Sequence, residues 1–99
     1  MVEAILLWLI IRLDLPNCQP PLPQIVHSSE FLDATQPKGH SLGAYLASTN
    51  TIILRDSWDG NWKDRGILAH ELTHHLQKHC GVEAGEAIAY QMQREYERE

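Results

Sequence analysis

Hydrophobic positions change their spacing along this chain, and the changes mark its elements. Ala4 to Ile11 is an unbroken apolar run. It predicts a buried helix reaching about Leu13, with apolar residues all round it. Eight residues are too few to cross a bilayer. Pro16, Pro20, Pro21 and Pro23 then end the helix and form a stiff linker. Gln24 to His27 reads as a short strand. Ser28 or Ser29 caps a short helix through Phe31, Leu32 and Ala34, which Pro37, Lys38 and Gly39 stop. Gly43 to Ala47 and Thr51 to Leu54 predict two strands, with Ser48, Thr49 and Asn50 as the turn of a hairpin.

The periodicity then becomes helical. After a polar loop from Asp56 to Asn61, Ile67, Leu68, Leu72 and Leu76 recur at helix spacing. They predict a helix from about Asp64, as its cap, to His79, with Gly81 as its stop. A last helix is expected from about Val82 to the C-terminus, slightly weakened by Gly85. Its apolar face holds Ala84, Ala87, Ile88, Ala89, Met92 and Tyr96. The whole reads as one small α+β domain over residues 1–99, with a short, mostly antiparallel sheet packed on the longer helices.

Composition adds little until the histidines are placed. The chain is 43% hydrophobic, enough for a modest core, and carries a formal charge of −5. Its basic residues are scattered, which argues against nucleic acid as a partner. Glu3 precedes the first apolar run and no small-residue cleavage pattern follows it. The expectation is therefore a cytoplasmic protein rather than a secreted one, without a membrane span. The apolar first helix could also serve a homodimer contact. Two cysteines, Cys18 and Cys80, form no C-x-x-C pair and are expected as reduced thiols, the alternative being a single Cys18–Cys80 bridge that ties the first segment to the H-E-x-x-H region.

Four of the six histidines fall between His70 and His79, and they change the picture. His70-Glu71-Leu72-Thr73-His74 is an H-E-x-x-H sequence on a predicted helix. Histidines four residues apart share a helix face, so both imidazoles reach one metal ion. Glu71 points to the side of that face and can take a proton from a water beside the metal. Two imidazoles, a carboxylate base and a metal-acidified water are what zinc-assisted peptide hydrolysis needs.

A third ligand is required. His75 is turned about 100° from His74, and His79 stands one residue short of the spacing that metzincins use, with Gln77 where their glycine should be. Glu83 and Glu86 remain. Glu86 is preferred because Ala87 and Ala89 allow close helix approach, whereas Glu83 lies nearer the turn. Tyr90, one helical turn past Glu86, faces the same side and could donate to an oxyanion, orient Glu86 or simply pack. His27, His40, Trp58 and Trp62 are expected in ordinary or packing roles, and His75 and His79 at the surface or behind the metal ligands.

Ile67 to Gln77, followed by Glu86-Ala87-Ile88-Ala89-Tyr90, resembles the gluzincin zinc metallopeptidases. The short length is similar to that of the minimal members called minigluzincins. Glu-x-x-Ala-Tyr is similar to the Glu-x-x-Ala-Asn segment of ImmA/IrrE-type metallopeptidases. The resemblance covers roughly the second half of the chain, and the chain departs from large gluzincins by lacking a second subdomain. It implies one zinc held by His70, His74 and Glu86, with Glu71 as general base. It also implies a peptide or unfolded-protein substrate pairing along strand 51–54 or its hairpin partner. The alternative function is a latent or inactive zinc-binding regulatory or interaction domain.

Overall fold

The most buried strand lies in the middle of the sheet. A computed structural model describes residues 1–36 and 41–99. Strand β3 (Thr51–Leu54) is buried along its whole length and rich in β-branched residues. It pairs on one side with β1 (Gln24–His27) in parallel and on the other with β2 (Gly43–Leu46) antiparallel. The order is β1-β3-β2, so the sheet is mixed rather than mostly antiparallel. The expected β2–β3 hairpin is present. The chain between β1 and β2 makes the parallel pairing possible: it carries α2 (Ser29–Thr35) across the sheet end before β2 returns beside β3. Periodicity within one strand does not reveal which neighbour it will take.

Local signals account for the helix ends. The Ser28 hydroxyl accepts from the Phe31 N–H and caps α2. Ser29 instead exchanges two bonds with Asp56, tying the start of α2 to the end of β3. The expected stop at Pro37, Lys38 and Gly39, and the expectation for His40, lie outside the described residues. Helix α3 spans Trp62–Cys80 and is capped by Asn61, whose side chain accepts from the Asp64 N–H at 2.8 Å. Asp64 is therefore not the cap. Its carboxylate accepts from the Asp59 N–H and tightens the preceding loop. The Trp58 indole also closes on this loop by donating to the Asp64 carbonyl.

Helix α4 spans Glu86–Glu97 and so begins four residues later than its composition suggests. Gly81 (φ 70°) ends α3, and Gly85 (φ 110°, ψ 179°) precedes α4. The second conformation is open essentially to glycine alone. Gly85 is thus the hinge before the helix, not a weak point inside it. The helices run antiparallel: His74 meets Glu86, His70 meets Tyr90, and Gly66 lies against Glu97.

The core joins α3, the sheet and the first helix, α1 (Val2–Arg12). Ile5, Leu6 and Leu9 of α1 are buried with Leu68, Leu72 and Leu76 of α3 and with Ile52 and Leu54 of β3. Full burial of such a side chain contributes roughly 1.5–3 kcal/mol, so three of them hold α1 down firmly. Leu7 and Ile11, on the opposite face of α1, are exposed. Among the described residues no helix is long and apolar enough to cross a membrane.

The cysteines depart from expectation. Cys18, in the proline-rich linker, is disulfide-bonded to Cys80 at the end of α3, with Cα atoms 5.7 Å apart. The linker's return to α3 creates this proximity, and the sequence gives no local sign of it. The bond closes a separation of 62 residues. In the chain-entropy model a loop of that size is worth about 4 kcal/mol. Reduction, or Cys18→Ser with Cys80→Ser, should lower Tm by at least roughly 10 °C in a domain this small. A melting curve unchanged by reductant would contradict the bond.

Candidate metal centre

Helix α3 carries a cluster of polar groups, His70, Glu71 and His74, next to its buried apolar residues. His70 and Glu71 are buried and His74 is half-buried. Their ligand atoms lie within 4.8 Å of one another, and the group could hold a metal ion. The cluster forms the floor of a cleft of about 1090 Å³ between β2 and α4.

Across the cleft, α4 contributes Glu86. Its carboxylate oxygens stand 2.5 Å from His74 Nε2 and 3.5 Å from His70 Nε2. Glu83 is exposed in the preceding turn and does not line the cleft. The choice between the two follows from Gly85: the helix starts at residue 86, so its first side chain sits over the end of α3 nearest the turn.

The far side of each imidazole is held by a glutamine. His70 Nδ1 lies 3.0 Å from Gln93 Oε1, and His74 Nδ1 lies 2.8 Å from Gln77 Oε1. The Gln77 amide nitrogen donates to the carbonyls of Glu83 and Gly85, each at 2.8 Å. Carbonyls can only accept, so the amide cannot be reversed. Its oxygen must face His74, and His74 must donate from Nδ1. With the Nδ1 proton fixed in this way, Nε2 is the nitrogen that faces the Glu86 carboxylate, and its lone pair points there whenever the ring carries a single proton. Two such lone pairs 2.5 Å apart repel unless a proton or a cation lies between them. This donor arrangement suits a metal cation: both outer nitrogens are fixed, and both inner ones are free to ligate.

The charges at the site point the same way. Burial, and then the negative charge of Glu86, push the Glu71 carboxyl up to about 8. Burial lowers the pKa of His70, partly opposed by Glu86. The metal-free site thus keeps His70 neutral and Glu71 protonated near neutral pH. A dication would reverse the Glu71 shift by favouring its carboxylate. Glu71 lies directly against β2: a Cβ at Gly43 would come within 3.3 Å of its Cγ and Oε2. Glycine at that position is what lets the strand approach the carboxyl so closely.

Tyr90 is half-exposed in the cleft, and its ring meets His70 edge-on with centroids 4.5 Å apart. The other histidines stand apart. His75 is neither at the surface nor behind a ligand. It is fully buried, donates from Nε2 to the Pro21 carbonyl and has Nδ1 2.9 Å from the Tyr45 hydroxyl. One residue beyond His74, it turns toward the sheet and staples linker, helix and β2 together. Desolvation lowers its pKa, consistent with a neutral ring accepting from Tyr45. His79 bonds the Asn50 side chain in the hairpin turn.

Sequence reasoning missed Gln77 and Gln93. A signal existed for each. Gln77 lies three residues past His74, and Gln93 seven past Glu86, on the same helical faces. Glutamine carries no metal chemistry of its own, so neither stood out. Comparison with protein-family models, with curated proteins and with solved structures finds no match to this chain.

The Glu71 shift sets a pH dependence for the metal-free protein. The group's folded pKa is raised, so its contribution is intact below the ordinary value of 4.5 and is lost as the pH rises to about 8. In chelator, wild type should lose stability relative to Glu71→Gln across that window, by up to about 1.4 kcal/mol per pH unit. Parallel stability curves for the two proteins would contradict the buried, protonated Glu71.

Proposed function

We propose that this protein is a zinc-dependent metallopeptidase of gluzincin type, with His70, His74 and Glu86 holding one zinc ion and Glu71 as general base. The observation that carries the proposal is the convergence of two Nε2 lone pairs from α3 with the Glu86 carboxylate from α4, beside a carboxyl that ligation does not require. Two imidazoles and one carboxylate from the protein are a donor set that catalytic zinc uses, with a position left for water or substrate. Bound there, zinc would polarise a scissile carbonyl and acidify an attacking water.

The remaining roles belong to the chain. Glu71 takes the proton from the water and passes it to the leaving amine. Its burial keeps bulk water from competing for that proton. Tyr90, at the cleft wall beside His70, is the candidate donor to the developing oxyanion. Strand β2 is at the edge of the sheet and lines the cleft. An extended peptide or unfolded segment pairing with that edge would pass beside Glu71, which Gly43 of the same strand contacts closely.

Glu71→Gln separates the chemistry from the binding. It should hold zinc nearly as well as wild type and cleave an unfolded protein at least about a hundredfold more slowly. Equal cleavage rates would remove Glu71 from the mechanism. A zinc-loaded wild type that cleaves neither peptides nor unfolded protein would leave the latent, regulatory zinc-binding domain as the better description.

The third ligand has its own test. Glu86→Ala should weaken zinc binding far more than Glu83→Ala. The reverse ranking would overturn the assignment of Glu86.

A further inference from the structure

Gln77 occupies an unusual place: one amide touches both halves of the site. Its oxygen meets His74 on α3 at 2.8 Å. Its nitrogen donates to the carbonyls of Glu83 and Gly85, the last turns of chain before Glu86. Among the described residues, no loop hydrogen bond between backbone groups involves 82–84. Gly81 and Gly85 at its two ends, both at positive φ, leave this segment with unusual backbone freedom. It nonetheless delivers the only carboxylate of α4 that faces the two imidazoles at bonding distance.

We infer that Gln77 is a positioning residue that couples the two halves of the metal centre, orienting His74 while fastening the 83–85 segment so that Glu86 stands opposite it. This inference rests on the metal-binding reading of the site and not on peptide hydrolysis.

The side-chain chemistry is specific to glutamine. The residue must accept from an imidazole N–H and donate twice to carbonyls from the same planar group. A glutamate accepts but cannot donate when ionised. A lysine or arginine donates but cannot accept. Asparagine has the right amide on a stem one carbon shorter. Groups that hold a metal-ligating histidine from behind are commonly carboxylates, which would orient His74 at least as firmly. The retention of an amide here is explained by the second task, the pair of carbonyls at 83 and 85.

That distinction defines the experiment. Gln77→Glu keeps an acceptor for His74 Nδ1 but replaces two donations with repulsion between oxygens. If Gln77 only oriented His74, the variant would bind zinc as tightly as wild type or more tightly. As a tether it should bind zinc about 10- to 100-fold more weakly. Cobalt(II) in place of zinc should show an altered visible spectrum, as expected when Glu86 no longer ligates. Gln93→Glu supplies the comparison. The Gln93 nitrogen reaches only Glu97, one turn along α4, so this variant should weaken zinc less than Gln77→Glu does.

A readout without metal completes the test. Gln77 is half-buried at the cleft, so Gln77→Glu should fold with a melting curve close to wild type. In chelator, hydrogen exchange at the amides of Tyr90 to Met92, which bond back to the first turn of α4, should be faster in the variant, while α3 from Ile67 to Leu72 is unchanged. Unchanged exchange at α4, or unchanged zinc affinity, overturns the coupling. A wild type that holds no zinc is a separate result: it defeats the metal-binding reading before any variant is compared.

Discussion

The antiparallel packing of α4 on α3 is the constraint on which the rest depends. Ala89 and Met92 are buried in that contact, and Gly66 of α3 lets the Glu97 side chain lie directly on the helix. Small residues bring the two axes together, and two glycines turn the chain tightly enough to start α4 beside the end of α3. Once that geometry is set, Glu86 must face His74, Tyr90 must meet His70, and Gln93 must reach behind His70. The sheet supports the other wall. Its strand β2 is pinned to α3 by the Tyr45–His75 hydrogen bond and comes close enough to bury Glu71.

This packing concentrates electrostatic stress in one place. A buried carboxyl, a second carboxylate and two imidazoles occupy a few ångströms at the floor of the cleft. A core arranged for stability alone would not place them there, because His70 and Glu71 are taken out of water beside a second carboxylate. Glu71 responds by holding its proton, and His70 by releasing its own. A divalent cation at the centre would relieve both effects at once. The cost of gathering these groups and their affinity for a metal therefore have the same origin. The Cys18–Cys80 bond fastens the C-terminal end of the helix that carries this stress.

Much of this was legible in the sequence, for identifiable reasons. Helical spacing of Ile67, Leu68, Leu72 and Leu76 fixed which face of α3 is polar, and the H-E-x-x-H residues fall on it. Small residues beside Glu86 favoured it over Glu83, and Glu86 is the one of the two that lines the cleft. The parts that were not legible depend on contacts distant in sequence. The parallel β1–β3 pairing arises from a crossover, not from any strand's own pattern. The disulfide depends on where the proline-rich linker lands. The start of α4 was misplaced because Val82, Ala84 and Gly85 tolerate a helix locally, whereas Gly85 is at φ 110°. Asp64 has a cap's composition, yet Asn61 takes the role because the helix begins a turn earlier at Trp62. His75 looked like a surface residue because periodicity says nothing of Tyr45 and Pro21 waiting beneath it.

The most direct test of the central claim is the position of the metal itself. Crystals grown with zinc and measured on both sides of the zinc absorption edge would locate it without assumptions about activity. The account predicts one anomalous peak per chain, bonded to His70 Nε2, His74 Nε2 and the Glu86 carboxylate, with Glu71 nearby but unbonded. A peak elsewhere, or a zinc ion ligated by the two histidines without Glu86, would contradict it.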